Sequence, residues 1–316
     1  MKTKKLGKFQ VSAIGIGCMN PSWIGGTALD PKLRYESAIP ALHAAMDAGV
    51  NFFDTADIYA PTWDAFGHNE QFVAESLRTW SGTPEQKANI VIATKAGISR
   101  KPGEKWGRNA TLDYLLRAAE ASAGRLGVDK IQLWQHHRLD PTLTFEEQFE
   151  NVLVLKDRGI VDQIGVSNYD AKQLELAVKM GGTPQEGGVV SIQNEFSPNY
   201  RYDLDVLEVC ERYGIAFLPW SPLGGSKSIS QVSGSSAFEE VGEKYGISPY
   251  ATALAWLMKY SETIIPIPGA TRVASVMDCI TSIDVDLSRE DFEYLNENLP
   301  EQLPYSEELL PKPKHR

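Results

Sequence analysis

Short apolar segments alternate with longer amphipathic stretches along most of the chain. The apolar segments are rich in β-branched and aromatic residues, and the stretches between them place apolar residues every three or four positions over about ten to fifteen residues. This alternation is typical of successive βα units around a parallel sheet. The predicted strands are 13–17, 52–54, 90–95, 131–137, 163–166, 189–193, 216–220 and 264–267.

The predicted helices complete eight βα units. They are 36–48, 69–80, 112–126, 145–158, 171–179, 204–213, 250–260 and 273–280. Thr111 and Asp170 are the expected N-caps of two of them, since both side chains can accept a hydrogen bond from the first helical turn. Eight units predict an α/β protein with a (β/α)8 TIM barrel.

The two ends of the chain add to this barrel. Residues 8–12 predict an N-terminal β-hairpin at the barrel floor, and residues 288–297 predict a C-terminal extra helix before a Pro-rich tail. A chain of 316 residues is near the size at which single hydrophobic cores stop growing. Residues 1–316 are therefore expected to form one domain.

Polar residues end or directly follow five of the apolar strands. They are Asp54, Lys95, His137, Asn168 and Gln193. The long predicted loops, 57–68, 96–110 and 221–234, also follow strands, and active sites of (β/α)8 barrels lie at that rim. Each residue alone is more often a turn, capping or solvated residue. Five of them at successive strand ends favour a functional site.

The residue types at these positions suit the reduction of a carbonyl group. A phenol, with a reference pKa of about 10, is a weak acid at neutral pH, but a nearby ammonium favours its ionised form. Tyr59 can turn back over the rim toward Lys95, which Asp54 would hold charged. His137 is then expected to donate a hydrogen bond to the carbonyl oxygen.

Eight segments in sequence order carry a family resemblance. They are 54–59 (DTADIY), 67–70 (GHNE), 92–95 (IATK), 133–138 (LWQHHR), 164–168 (IGVSN), 193–196 (QNEF), 220–224 (WSPLG) and 265–269 (IPIPG). The chain resembles the aldo-keto reductase family over nearly its whole length. The resemblance implies a (β/α)8 barrel that binds an extended nicotinamide dinucleotide, usually NADPH, without a Rossmann domain. It also implies Asp54, Tyr59, Lys95 and His137 as the catalytic group.

The resemblance also implies the cofactor-binding residues. Ser167, Asn168 and Gln193 would hold the nicotinamide carboxamide, and Trp220 takes the place of the ring that stacks on the nicotinamide. Ser221, Leu223 and Gly224 would meet the pyrophosphate. Gly269, Arg272 and Ser275 would surround the adenosine phosphate, where a guanidinium suits bidentate contact.

Two positions depart from the family pattern. Cys279, with Asp278 beside it, stands where the family usually has an asparagine near the adenine, and a nearby negative charge would weaken binding of a 2′-phosphate. His136 stands where an apolar residue is usual. Adjacent residues of a regular strand face opposite sides, so only one of the two histidines can face the barrel interior, and His137 is the expected one.

The rim loops carry the candidate substrate contacts. Trp23, Trp63 and Trp106 are expected to line a substrate pocket, which small-molecule sites usually build from apolar groups. The loop after Lys95 is locally basic through Arg100, Lys101, Lys105 and Arg108. This charge could serve an anionic substrate or belong to a solvated loop.

Charge and cysteine content restrict the classes of partner and the cellular compartment that we expect. The formal net charge of −10 and a pI of about 5.1 make nucleic acid and anionic membranes poor partners. Three widely spaced cysteines form no metal-binding pair, so no metal is expected and a reducing cytoplasmic compartment fits best. A monomer is favoured because a closed barrel has no unpaired sheet edge.

Two other functions remain open from the sequence. A Schiff-base lyase using Lys95 would explain Lys95 and Tyr59, but it gives no task to Gln193, Trp220 or Arg272. A non-catalytic NADPH-sensing subunit could share the same barrel, although the catalytic set is complete. The identity of the carbonyl substrate and the direction of the reaction cannot be inferred from loop composition.

Overall fold

Seven parallel strands form the central sheet of the structure, a computed structural model that describes residues 1–22 and 31–305. Two antiparallel hairpins contribute four more strands in the described residues. All strands in chain order are β1 (Thr3–Leu6), β2 (Phe9–Ser12), β3 (Ile16–Gly17), β4 (Phe52–Asp54), β5 (Val91–Ala96), β6 (Ile98–Lys101), β7 (Lys105–Arg108), β8 (Ile131–His136), β9 (Val161–Ser167), β10 (Val189–Gln193) and β11 (Ala216–Phe217). The parallel sheet has the order β11-β10-β9-β8-β5-β4-β3.

Helices follow most of these parallel strands. They are α1 (Pro31–Asp47), α2 (His68–Thr79), α3 (Pro84–Ala88), α4 (Leu112–Leu126), α5 (Phe145–Asp157), α6 (Ala171–Gly181), α7 (Leu204–Tyr213), α8 (Gly225–Ser233), α9 (Ser236–Tyr245), α10 (Pro249–Tyr260), α11 (Val273–Thr281) and α12 (Arg289–Glu297). The predicted helices lie within two residues of their observed bounds, except that α1 begins five residues before its predicted start, and the predicted extra helix is α12. Within residues 1–22 and 31–305, no helix combines the length and apolar character needed to cross a membrane.

Residues 263–269 close the sheet into a barrel. Ile265 N donates to Phe217 O at 2.9 Å on one side, and Gly15 N donates to Pro266 O at 2.9 Å on the other. Gly17 N donates to Pro268 O at 3.0 Å. Two prolines lack the N–H groups that a regular ladder needs, so this segment pairs by isolated bridges instead of a continuous strand. The predicted (β/α)8 barrel is confirmed, with its eighth strand irregular.

Two hydrophobic cores follow from the alternation of side chains along the strands. One set faces the barrel interior and includes Phe52, Leu133 and Ile265, while a larger set packs between the sheet and the helices. The predicted N-terminal hairpin is present as β1 and β2, and its fully buried Leu6 and Val11 belong to the interior set. The hairpin therefore fills the floor of the barrel and leaves the opposite end open.

Two predicted loops contain regular structure. Residues 96–110 include the antiparallel hairpin β6–β7, and residues 221–234 include helix α8. Helices α3 and α9 were also not predicted. Gly and Ser, which are common in loops, make up much of residues 224–236, so local composition concealed α8.

Candidate active site

A buried ion pair lies at the open end of the barrel interior. Lys95 Nζ donates to both carboxylate oxygens of Asp54, at 2.8 and 2.7 Å, and to the backbone oxygen of Thr55 at 2.8 Å. Burial lowers the pKa of Lys95, but Asp54 and Tyr59 outweigh this effect and raise it above its ordinary value. The amine is therefore a fixed ammonium, as its position at the end of β5 led us to expect.

Tyr59 lies beside this ammonium. A turn after β4, with Tyr59 N donating to Ala56 O at 3.3 Å, brings its ring to 5.1 Å from Lys95 Nζ. Burial raises the pKa of the phenol more than the Lys95 charge lowers it. Lys95 thus lowers the pKa of Tyr59, as expected, but desolvation, which the sequence does not reveal, raises it by more.

The two adjacent histidines face opposite sides, as the alternation along β8 requires. The His137 ring contacts the Tyr59 ring edge-on, with 5.8 Å between centroids. His136 faces the helices, where its Nδ1 lies 2.8 Å from the Tyr169 hydroxyl and its ring stacks on Trp134. His137 is thus the histidine at the mouth.

Both histidines are neutral at physiological pH. Burial and the nearby cations, Lys95 foremost, hold the pKa of His137 well below its ordinary value. Burial lowers the pKa of His136 to about 4. His137 Nδ1 is buried without a hydrogen-bond partner among the described residues.

Two glutamines from other strands of the barrel approach Asp54. Gln193 Nε2 donates to Asp54 Oδ1 at 2.8 Å, and Gln135 Nε2 approaches the same oxygen at 3.3 Å. Sequence analysis named Gln193 but missed Gln135. Its signal was available, because Gln135 is two positions before His137 on β8 and so faces the same interior.

The next sector of the mouth contains the residues matched to the nicotinamide carboxamide. Asn168 follows β9 with a positive φ of 60° and donates from Nδ2 to His137 O at 3.1 Å. Trp220 Nε1 donates to Asn168 Oδ1 at 3.2 Å, and Ser167 Oγ donates to Gln193 O at 2.7 Å. Asn168 Nδ2 also donates to Ser167 Oγ at 2.9 Å, so the side chains of Ser167, Asn168 and Trp220 form one hydrogen-bonded group.

The residues matched to the pyrophosphate lie at the start of α8. Ser221 and Gly224 both have positive φ, 50° and 84°, and Gly224 N donates to Ser221 O at 2.8 Å. This tight turn begins α8 at Gly225, and Leu223 packs against the outer core. The first N–H groups of a helix have no partners within it and favour anions.

The residues matched to the adenosine phosphate lie at the start of α11. Gly269 and Arg272 are exposed, Ser275 is half-buried, and Arg272 is the N-cap. The side chain of Arg272 forms no hydrogen bond or ion pair with the part of the chain that the structure describes. Cys279 is buried in the core, so it does not face a ligand, while Asp278 accepts a hydrogen bond from Ser248 Oγ at 2.7 Å.

Two of the three candidate pocket tryptophans are on neighbouring rim loops. Trp63 is 38% exposed and Trp106 is 49% exposed, and the Arg100 guanidinium lies 4.7 Å from the centre of the Trp106 ring. Arg100 Nη1 also donates to Ala60 O at 2.7 Å, which ties β6 to the Tyr59 turn. Trp23 lies outside the described residues.

A cavity of about 450 Å³ lies beside the mouth, between β6–β7, the Tyr59 turn and α4. Asp57 lines it and is buried, with Oδ1 unpartnered in the described ranges. Burial and the charge of Glu70 raise its pKa well above the ordinary value. Within the described ranges, no group of three His, Cys, Asp or Glu side chains is arranged to hold a metal ion.

Comparison with known proteins places this geometry in a family. The sequence model of the aldo/keto reductase family matches residues 13–299. An uncharacterized oxidoreductase of Schizosaccharomyces pombe is 30% identical over 295 residues, covering 93% of this chain and 89% of that protein. The 6-dehydroglucose reductase of Novosphingobium aromaticivorans is 33% identical over 267 residues, covering 81% of this chain and 83% of that protein.

Solved structures have the same fold. A thermostable aldo-keto reductase solved with the inhibitor epalrestat has a TM-score of 0.72 and 25% identity, covering 94% of this chain and 99% of that chain. An aldo/keto reductase from Klebsiella pneumoniae, solved with NADP and acetate, has a TM-score of 0.76 and 22% identity, covering 96% of this chain and 98% of that chain.

Proposed function

Since the chain belongs to the aldo/keto reductase family, a family of oxidoreductases that act on carbonyl groups and alcohols, we propose that it is an NAD(P)H-dependent enzyme with Tyr59 as general acid and base. It interconverts an aldehyde or ketone and the corresponding alcohol. The observation that carries the proposal is the Asp54-bound Lys95 ammonium, 5.1 Å from the centre of the Tyr59 ring.

In the direction of reduction, Tyr59 supplies the proton. The phenol is protonated at neutral pH, because burial raises its pKa. Neutral His137, 5.8 Å from that ring, donates a hydrogen bond that orients and polarises the carbonyl oxygen. A bound reduced nicotinamide supplies the hydride. As the proton leaves, the Lys95 ammonium stabilises the tyrosinate, and Asp54 keeps that ammonium charged and in place.

The residues of the neighbouring sector fit an extended dinucleotide. Ser167, Asn168 and Gln193 would hold the carboxamide, with the Trp220 ring against the nicotinamide. The tight Ser221–Gly224 turn and the free N–H groups at the start of α8 suit a pyrophosphate, with Leu223 beside it. Gly269, Arg272 and Ser275 would surround the adenosine phosphate at the start of α11.

NADPH is the proposed cofactor. Arg272 is an exposed guanidinium without a partner in the described part of the chain, as a 2′-phosphate would require. Ser248 Oγ donates a hydrogen bond to the Asp278 carboxylate, which holds that group in place but leaves its charge. The barrel fold of the Klebsiella pneumoniae relative accommodates NADP.

Replacement of Arg272 by Ala tests the cofactor preference. The dissociation constant for NADPH should rise by about 10-fold or more, since a charge-assisted hydrogen bond contributes about 1.5–3 kcal/mol. The constant for NADH should change much less, as measured by quenching of tryptophan fluorescence. Arg289→Ala, which removes an exposed arginine paired with Glu293, is the matched control. An unchanged NADPH to NADH ratio would remove Arg272 from the phosphate site.

Replacement of Tyr59 by Phe tests the reaction itself. The variant keeps the ring against Lys95 but has no proton to donate, so kcat for aldehyde reduction should fall by about 100-fold or more. The dissociation constant for NADPH should stay within a factor of about 2. An equal loss of cofactor binding and turnover would contradict the role of the phenol.

The two alternative functions predict different results. A Schiff-base lyase needs a neutral, free amine, whereas Lys95 is an ammonium with three hydrogen bonds. Borohydride trapping of a carbonyl compound on Lys95 would support the lyase. NADPH binding without turnover of any aldehyde would support a sensing subunit.

The remaining features of the proposal concern the molecule as a whole. We propose that residues 1–316 form a single domain and that the protein is a cytoplasmic monomer. Its substrate is a small carbonyl compound, which binds in a pocket lined by Trp63 and Trp106. The three free, buried cysteines and the closed barrel support these features. The net charge of −10 argues against nucleic acid or anionic membrane as a partner.

A further inference from the structure

Tyr59 lies in an irregular segment, whose position depends on contacts with other elements. Residues 55–67, between β4 and α2, contain no regular strand or helix. Backbone hydrogen bonds join Tyr59 to its own segment and to α2, from Tyr59 N to Ala56 O at 3.3 Å and from Asn69 N to Tyr59 O at 3.1 Å. The two carbonyl groups that follow Tyr59 are bound instead by the side chain of Arg100.

Arg100 contacts both of these carbonyl groups at once. Nη1 donates to Ala60 O at 2.7 Å, and Nη2 donates to Pro61 O at 3.1 Å. The side chain extends from β6 and is 6% exposed, so these hydrogen bonds are largely shielded from water. A guanidinium presents five N–H groups in one rigid plane, which lets a single side chain hold two neighbouring oxygens. Arg100 therefore fixes the main chain directly after Tyr59.

Two further contacts hold the guanidinium in this position. Arg100 Nε donates to the carboxylate of Glu104, in the turn of the β6–β7 hairpin. The Trp106 ring, on the opposite strand of the hairpin, lies with its centre 4.7 Å from the guanidinium carbon. Glu104 also accepts a hydrogen bond from Trp63 N at 3.0 Å. The hairpin and the Tyr59 turn are therefore joined by a network centred on Arg100.

The hairpin that contains Arg100 follows directly from the strand that contains Lys95. Lys95 lies near the end of β5, and only Gly97 separates β5 from β6. Lys95 Nζ lies 5.1 Å from the centre of the Tyr59 ring, while Arg100 binds the main chain next to that ring. Residues 95–100 thus contact the Tyr59 ring with one side chain and the main chain after Tyr59 with another.

We infer that Arg100 is a positioning residue, which holds the Tyr59 phenol in place beside the Lys95 ammonium. It acts through the two carbonyl groups that follow Tyr59. This inference rests on the proposed carbonyl reduction and adds to it a residue outside the catalytic group. A displacement of about 1 Å at a reacting group can slow a reaction by about 100-fold. Loss of the two hydrogen bonds should therefore slow proton transfer from Tyr59.

Single-turnover kinetics test this role. The protein with one equivalent of bound NADPH is mixed with excess benzaldehyde or butanal, whichever the wild type reduces faster, and the loss of NADPH absorbance gives a rate constant and an amplitude. Arg100→Met cannot bind the carbonyl groups, so the rate constant should fall by about 10- to 100-fold with the amplitude intact. Damage to the fold would instead lower the amplitude and leave the rate constant unchanged. The dissociation constant for NADPH should not change.

A double variant shows whether Arg100 acts through Tyr59. In Tyr59→Phe the phenol is already absent, so adding Arg100→Met should change the residual rate constant little. If Arg100 acted on substrate or cofactor directly, the two losses would multiply. An additional loss as large as that caused by Arg100→Met in the wild type would therefore overturn the inference.

Matched variants identify the contact that matters. Arg100→Lys keeps the charge and a hydrogen-bond donor without the planar fork, and it should recover part of the rate lost in Arg100→Met. Glu104→Gln keeps an oxygen for Trp63 N but removes the carboxylate that holds the guanidinium, and it should lower the rate constant by a smaller factor. Arg117→Met, which removes an exposed arginine of α4 paired with Asp113, should leave the rate constant unchanged.

Failure of the inference is distinguishable from failure of the proposed function. A rate constant for Arg100→Met equal to that of the wild type would overturn the positioning role while carbonyl reduction stands. If Arg100→Met does not fold, unchanged rate constants in both Arg100→Lys and Glu104→Gln would overturn it equally. If the wild type oxidises bound NADPH with neither aldehyde, the proposed function is overturned instead.

Discussion

Asp57, His137 and Glu195 are ionisable side chains buried in or beside the mouth of the barrel. Burial moves the pKa of each toward its neutral form, upward for the two acids and downward for the histidine. Lys95 is the exception, because the Asp54 carboxylate and the nearby phenol keep it charged. Asp57 and His137 thus favour their neutral forms beside one ammonium, which suits the proton donation proposed for Tyr59.

Asp57 gives a prediction about stability and pH. Its folded-state pKa is raised, so the folded chain keeps a proton that the unfolded carboxyl releases above its pKa of about 4. The stability of the wild type should therefore fall as pH rises from about 4 toward the folded-state pKa. Asp57→Asn cannot ionise and should escape this loss.

The stabilisation of Asp57→Asn relative to wild type is measured by thermal unfolding at several pH values. Asp57→Asn should raise the melting temperature relative to wild type by about 2 °C or more at pH 8, and by less at pH 5. Asp286→Asn is the control, because this exposed carboxylate is paired with Lys259 and its pKa is lowered. A difference from wild type that is the same at pH 5 and pH 8 would refute the assignment.

Two threonine N-caps show that the residue type alone does not decide whether a side chain caps its helix. Thr144, the N-cap of α5, forms a complete capping box with Glu147: its Oγ1 accepts from Glu147 N at 3.2 Å, and Glu147 Oε2 accepts from Thr144 N at 3.0 Å. Thr111 is the N-cap of α4, as expected, but its hydroxyl bonds Asn109 instead of the helix. The same residue type thus has different roles at two helix starts.

This difference predicts different costs of removal. Thr144→Ala should lower the free energy of unfolding by about 1 kcal/mol, since it leaves a first-turn N–H without its partner. Thr111→Ala should lower the free energy of unfolding by clearly less, because it removes no hydrogen bond to the first turn of the helix. Chemical denaturation of both variants measures the two values, and equal costs would contradict this account of the two caps.

The barrel as a whole depends on its floor and on its eighth, irregular strand. The hairpin β1–β2 inserts Leu6 and Val11 beneath the interior core, and Lys4 Nζ donates to Ile264 O at 2.9 Å beside the closing segment. The same segment binds β3 and β11 through its carbonyl and amide groups. The N-terminal hairpin and the C-terminal half of the barrel therefore stabilise each other.

Leu6 tests this coupling. Its side chain is fully buried, so Leu6→Ala should destabilise the protein by about 2–5 kcal/mol through lost burial and a residual cavity. Leu204→Ala is the matched control, since Leu204 is 40% exposed, and it should cost much less. Denaturant titration of both variants measures the two changes in the free energy of unfolding. A cost for Leu6→Ala no greater than for the control would show that the hairpin is dispensable for the core.

The sequence by itself determined the order of the eight βα units and the set of polar residues at the strand ends. Periodicity is local, so it places strands and helices within a few residues, and barrel topology then brings residues such as Asp54, Lys95 and His137 to one mouth. That only one of His136 and His137 faces the interior also followed from the sequence, because alternation along a strand depends only on the backbone, and the family resemblance pointed to His137.

Only the tertiary structure decided the features that depend on distance and burial. The sequence could suggest that Lys95 lies near Tyr59, but the net direction of the Tyr59 pKa also depends on how much water the fold removes from the phenol. The hydrogen bond from Ser248 to Asp278 likewise joins residues that lie far apart in the sequence. Solvation and long-range contacts have no period along the chain, so no local pattern records them.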